Sequence, residues 1–209
     1  MRSELLLASS SATRRQILEA AGIRYRVEAS GISEVMYPAS TAEVVTTLAR
    51  HKAEAVATRV VSGLVLGCDS LLDIDGQAFG KPASGDEAIR RWLYQRGSAG
   101  TLFTGHVMVD AATGKSHAET VATVVHFGHP SEREIELYVA TGEPLDKAGA
   151  FTLEGRSGPF IERVEGDPGN VRGLSLPALR RLLEAHGRSI VEFWTEPGSD
   201  SVERSGLGS

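Results

Sequence analysis

Apolar residues occur in short runs separated by capping and turn residues, a pattern that predicts strands alternating with helices. Glu4-Leu5-Leu6-Leu7-Ala8 predicts a first strand, and Ser9-Ser10-Ser11 leads directly into a helix. There Ser11 is a suitable N-cap, Ile17, Leu18 and Ala21 have helical spacing, and Gly22 is a stop. Ser40-Thr41-Ala42-Glu43 has capping-box spacing ahead of an apolar stripe of Val44, Val45, Leu48, Ala49 and Val56. The same signature recurs at Ser84–Glu87, before Ala88, Trp92 and Leu93, and at Ser131–Glu134, before Ile135, Tyr138 and Val139. Pro177 suits the start of a last helix carrying Leu179, Leu182 and Leu183, which Gly187 stops.

Leu64-Val65-Leu66 predicts a buried strand with Asp69 delivered at its end. Leu71-Leu72 and Ala78-Phe79 then flank Asp75-Gly76, a dipeptide suited to a tight hairpin. Residues 101–127 read as a long hairpin with arms Val107–Val109 and Val121–Val125, joined near Ala112–Lys115. Further on, Phe160–Val164 predicts a strand, Gly166–Asn170 a turn and Ile190–Trp194 an edge strand. Helices between strands, together with hairpins, imply an α/β class shading into α+β with a mixed sheet. Residues 1–194 are expected to form one domain, and residues 195–209, rich in Gly, Ser and Glu, a disordered tail.

A chain of 209 residues is long enough to bury a sizeable core. Its formal net charge of −5 argues against a nucleic-acid surface, so any positive site must be a local cluster. No apolar run is long enough for a bilayer and the N-terminus does not read as a secretory signal, which makes a cytoplasmic setting the expectation. The lone Cys68 excludes an intramolecular disulfide, and no Cys/His spacing fits a structural zinc site. His106, His117, His126 and His129 match no metal motif and read as structural or solvated.

Within this frame several residues are candidates for chemistry. Asp69, with Lys81 across the hairpin on a stiff Gly-Lys-Pro loop, reads either as a phosphate and metal site or as two surface charges. A serine turn entering a helix offers N–H groups and hydroxyls to an anion. Arg14 and Arg15 occupy the end of that helix where its dipole favours acids; a bound phosphate would offset the mismatch, and solvation is the equal alternative. Lys52 falls on the apolar stripe, where a lysine snorkels or is aimed at an anion. Glu34, taken alone, reads as a surface acid. The segment GEPLDKAGAFTLEGRSGPF reads as a loop shaped more for function than for packing.

The order of these motifs resembles the Maf family. The likeness runs through Leu7–Ser11 with Arg14, Leu48–Ala53, Gly67–Ser70, Gly80-Lys81-Pro82, Thr104-Gly105, Gly142–Phe151 and Asn170–Leu174, nearly the whole chain to the last helix. The resemblance implies a nucleoside triphosphate pyrophosphatase, similar in fold to the inosine triphosphate pyrophosphatases: an elongated mixed sheet, flanking helices and a cleft between two lobes. It also implies a homodimer and a divalent cation, magnesium or manganese. By the same resemblance Asp69 matches the proton acceptor, and Ser9, Arg14, Lys52 and Lys81 match the phosphate-binding set. Glu34 matches an acid lining the same cleft; on chemical grounds Asp69 and Glu34 are the expected holders of the metal. Thr13, Ser70 and Glu154 fall where family subgroups differ in substrate. One subgroup prefers dTTP and UTP, another 7-methyl-GTP; Glu154 agrees with the second, whereas Thr13 and Ser70 agree with neither. The activity implied is hydrolysis between the α- and β-phosphates, and the competing reading is a nucleotide-binding regulator of cell division without catalysis.

Overall fold

In the computed structural model, which describes residues 4–32 and 39–195, seven strands form one mixed sheet. β1 (Leu5–Leu7) lies between β2 (Arg26–Val27) and β3 (Leu64–Ile74) and runs parallel to both. Beyond β3 come β5 (Ala99–Asp110), β6 (Ser116–Phe127) and β7 (Ile161–Glu165), all antiparallel, while β4 (Gln77–Phe79) pairs with the far end of β3. The parallel pairing follows from the crossover through α1 (Ala12–Ala20) and α2 (Thr41–Ala57), and the antiparallel remainder from the hairpins.

Alternation along the strands sorts their side chains to two faces. Leu5, Leu7, Leu64, Leu66 and Cys68 pack with Ile17 and Leu18 of α1 and with Leu179, Leu182 and Leu183 of α6 (Leu176–Ala185). Leu6, Ala8 and Val65 pack on the other face against Ala49, Ala53 and Val56 of α2. The same period points Gly67 and Asp69 at α2. A Cβ on Gly67 would fall 2.1 Å from the Ala49 carbonyl oxygen, and one on Gly105, opposite Asp69 in β5, would fall 2.4 Å from that of Val45. These two glycines let the α2 backbone rest directly on the sheet.

A third cluster gathers at the far end of the sheet, under α3 (Gly85–Gln95) and α4 (Glu132–Ala140). Trp92 is its centre, edge-on to Phe127, Tyr138 and Phe160. Its indole N–H donates to the Ala150 carbonyl at 2.8 Å, and the Tyr138 hydroxyl reaches the same oxygen at 3.3 Å. Ala150 is held with φ 59°, an uncommon conformation for a residue bearing a Cβ.

Most expected elements are present. Ser11, Ser40, Ser84, Ser131 and Ser175 each cap a helix, and Asp75-Gly76 turns the β3–β4 hairpin with φ of 53° and 81°. At Ser84 only half of the box forms, since Glu87 accepts from the Ala83 N–H instead. Asp69 does not end a strand: β3 continues to Ile74 because its ladder with β5 is unbroken from Leu64 to Asp73. The Gly166–Asn170 turn contains a short helix, α5 (Pro168–Val171), capped by Asp167. Ile190–Phe193 forms a 3-10 turn rather than an edge strand, because Glu192 accepts from the Ser189 N–H and closes a helical cap; only Trp194 bridges to Ile23. The expected tail after Thr195 lies outside the described residues. Among those described, no helix is long and apolar enough to cross a membrane.

His106 of β5 is fully buried, and its Nε2 accepts the Ser175 N–H at 3.0 Å, which fixes the start of α6. Burial is the main cause, with Arg14 nearby, that brings its pKa down to about 4, against the opposing pull of Glu119.

Two predictions follow from this packing. Gly67→Ala forces α2 off the sheet and should lower stability by about 1–3 kcal/mol, read from the urea midpoint. Because unfolded His106 takes up its proton near pH 6.5 while the native residue resists to about 4, the native state loses stability as pH falls through that window. The loss should reach about 3 kcal/mol, at ~1.4 kcal/mol per pH unit, and be smaller in His106→Gln over the same range. An equal decline in both proteins would refute the assignment to His106.

Candidate active site

β1 stops at Leu7, opposite Leu66, and β4 begins to pair only at Leu72. Between them, residues 67–71 of β3 have no strand neighbour on that side among the described residues. The Ala8 N–H still bonds the Leu66 carbonyl, and the chain then leaves the sheet through Ser9–Ser11 into α1. The gap forms the floor of an open cleft of ≈ 640 Å³.

Charged groups enter the cleft from both faces of the sheet. From one face Lys52 of α2 donates to Asp69, the two 7% and 5% exposed. Seating α2 on Gly67 and Gly105 is what lets a side chain on its apolar stripe reach the strand. From the other face Arg14, the third residue of α1, extends under Ser70. Its Nε donates to the Gly173 carbonyl at 2.8 Å, Nη1 to Ser9 Oγ at 3.0 Å and Nη2 to Ser70 Oγ at 3.1 Å. Arg14 is 8% exposed, and among the described residues all of its acceptors are neutral. A buried guanidinium without a carboxylate is an incomplete pair.

The residues holding Arg14 are themselves held. Ser70 Oγ shares a hydrogen bond with Thr104 Oγ1, which donates to the Asn170 carbonyl; Asn170 Nδ2 in turn donates to the Leu102 carbonyl and to Thr123 Oγ1. This chain of bonds ties α5 and Gly173 to the sheet. At the cleft mouth Lys81 pairs with Asp146, both well exposed, and Lys147 Nζ donates to Thr13 Oγ1 at 3.1 Å. The Arg172 Nε lies 2.8 Å from Glu154 Oε1, a charge contact whose N–H is not aligned for a hydrogen bond. Cys68, on the α1 side of β3, is buried, and burial pushes its thiol up to about 11, which removes it as a nucleophile.

Ser9, Thr13, Arg14, Lys52, Asp69, Ser70 and Lys81 thus line one cleft. Glu154 does not line it but pairs with Arg172, which does. Glu34 lies outside the described residues. Sequence reasoning assigned no role to Lys147, Arg172, Thr104 or Asn170, although each stands in a segment that carries the family resemblance. Among the described residues six cations line the cleft against two carboxylates, Asp69 and Asp146, in a chain of net charge −5. Among the described residues no group of three or more His, Cys, Asp or Glu is arranged to hold a metal ion.

The family model for "Maf-like protein" matches residues 4–186. A Streptomyces coelicolor protein named nucleoside triphosphate pyrophosphatase is 52% identical over 202 residues, covering 95% of this chain and 98% of its own. A Corynebacterium jeikeium protein of the same name is 48% identical over 195 residues, covering 91% and 99%. Among solved structures, the Staphylococcus aureus Ham1 protein superposes with a TM-score of 0.51 at 15% identity, over 88% of this chain and 100% of that one, a likeness of fold alone. Matched by the family model over most of its length and about half identical to these relatives, the chain belongs to the Maf family.

Proposed function

We propose that this protein is a nucleoside triphosphate pyrophosphatase that hydrolyses the bond between the α- and β-phosphates. The observation that carries the reading is the buried Arg14, whose acceptors among the described residues are all neutral, set beside the Lys52–Asp69 pair in a cationic cleft. The names of its relatives support the same activity.

In this mechanism the oxygen of a water attacks the α-phosphorus, the bond to the β-bridging oxygen breaks, and pyrophosphate leaves with the electron pair. Asp69 accepts the water proton, and Lys52 holds the carboxylate oriented until substrate arrives. Arg14 stabilises the charge that builds on the leaving pyrophosphate, using its planar fork on two oxygens. The hydroxyls of Ser9 and Ser70 hold that fork at a fixed angle. Backbone N–H groups at the start of α1 add donors that bring no extra charge.

Asp69 is the one described carboxylate on the cleft floor, which fits a magnesium or manganese ion carried in with the triphosphate, as magnesium is commonly bound by one or two carboxylates and substrate phosphates. Such an ion, held by Asp69 and phosphate oxygens, would supply charge neutralisation. The proposal brings with it a homodimer, which the family resemblance implies, and the cytoplasmic setting expected from the sequence.

Incubation of the protein with a panel of nucleoside triphosphates should release monophosphate and pyrophosphate, separated by chromatography. Diphosphate plus phosphate would exclude the bond assignment, and tight binding without turnover would favour the regulator. Asp69→Asn should abolish turnover while binding nucleotide more tightly in chelator, since a carboxylate facing the polyphosphate is removed; turnover at the wild-type rate would contradict its role. Arg14→Gln should cost about 10²–10³ in kcat/KM with the fold intact by circular dichroism.

A further inference from the structure

The cations lining the cleft differ in how their charge is met. Lys52 faces Asp69, Lys81 faces Asp146, Arg91 lies 2.5 Å from Glu87, and Arg172 lies 2.8 Å from Glu154. Among the described residues, Arg14 and Lys147 face neutral oxygens alone. The two are close in the fold, because the hydroxyl that Lys147 reaches belongs to Thr13, the residue before Arg14. A cation that is partly buried and unmatched in a nucleotide cleft marks where ligand charge is missing.

Lys147 is also presented by a rigid platform. The Lys147 N–H bonds the Pro144 carbonyl, the Lys147 carbonyl accepts from the Ala150 N–H, and the Gly149 N–H bonds the Gly80 carbonyl. The Trp92 indole and the Tyr138 hydroxyl hold the Ala150 carbonyl from behind. Gly149, at φ 68°, packs so closely on Leu72 that a Cβ would fall 2.7 Å from its Cδ2. The segment therefore has little freedom to withdraw the lysine, and its ammonium spans the cleft wall to α1.

We propose that Lys147 is a substrate-binding residue that shares the polyphosphate charge with Arg14, and that Thr13 is the docking point that keeps its ammonium aimed into the cleft. The inference rests on the pyrophosphatase reading for the identity of the ligand. Thr13 is then a positioning residue, acting through Lys147.

The test compares wild type with Lys147→Met, Lys147→Arg, Thr13→Val and the Thr13→Val/Lys147→Met double variant. KM and kcat are measured on a triphosphate the wild type hydrolyses, and the affinity for inorganic pyrophosphate by calorimetry. Lys147→Met should raise KM and weaken pyrophosphate about 10-fold, with most of the effect in KM and an unchanged melting temperature. Lys147→Arg should recover most of the loss, and higher salt should narrow the gap between wild type and Lys147→Met. Thr13→Val should raise KM roughly 3-fold in wild type and have no further effect once Lys147 is gone. Unchanged KM and pyrophosphate affinity in Lys147→Met would overturn the proposal, as would a loss that Arg fails to restore. If wild type yields no monophosphate and pyrophosphate, the pyrophosphatase reading falls, and pyrophosphate affinity alone decides Lys147: a weaker variant sustains it, an equal one refutes it.

Discussion

Among the described residues strand β3 pairs with β5 from Leu64 to Asp73 but is interrupted on its other side, between the end of β1 and the start of β4. The rest of the site depends on that interruption. Had β1 continued past Leu7, the sheet would close over residues 67–71 and no cleft would exist. The serine turn after Ala8 carries the chain out of the sheet at that point, and the same turn starts the helix that brings Arg14 back over the opening. One local feature, a capped helix start, therefore both ends the strand and equips the space it vacates.

Because β3 alternates, its open edge is reached from both faces. Asp69 looks toward α2 and meets Lys52; Ser70 looks toward α1 and meets Arg14. A buried ion pair gains little net stability, since desolvation offsets most of its attraction. Its place on the cleft floor is better explained by chemistry than by folding: it holds an acceptor carboxylate in position where a phosphate must approach. Among the described residues Arg14 donates to neutral oxygens alone, which leaves its charge available to a ligand.

The far half of the molecule acts as a support. The Trp92 cluster holds the backbone at Ala150, and with it the segment bearing Asp146 and Lys147, against the end of β3. On the opposite wall the Thr104–Asn170 bonds hold Gly173 beneath Arg14. Both walls thus consist of irregular backbone fixed by buried side chains, which suits loops that must present charge at a constant distance.

Capping serines, helical stripes and the Asp-Gly hairpin were legible in the chain because each is a local signal, complete within a few residues. So were the candidates Arg14, Lys52, Asp69 and Lys81, through their order along the chain and its resemblance to a family. What the chain alone could not decide is which charges meet. Lys52 reads more readily as a snorkelling side chain until two glycines, 38 residues apart in sequence, are seen to seat α2 on the sheet. Asp69 reads as a strand end until the β5 ladder carries the strand past it. Lys147 carries no periodic signal, and its partner Thr13 is 134 residues away. Local propensity and patterning depend on near neighbours, so sequence by itself determined the elements and the residue types available for chemistry. Pairing across the cleft depends on contacts between segments distant in the chain, and only the tertiary structure decided which cations remain unmatched.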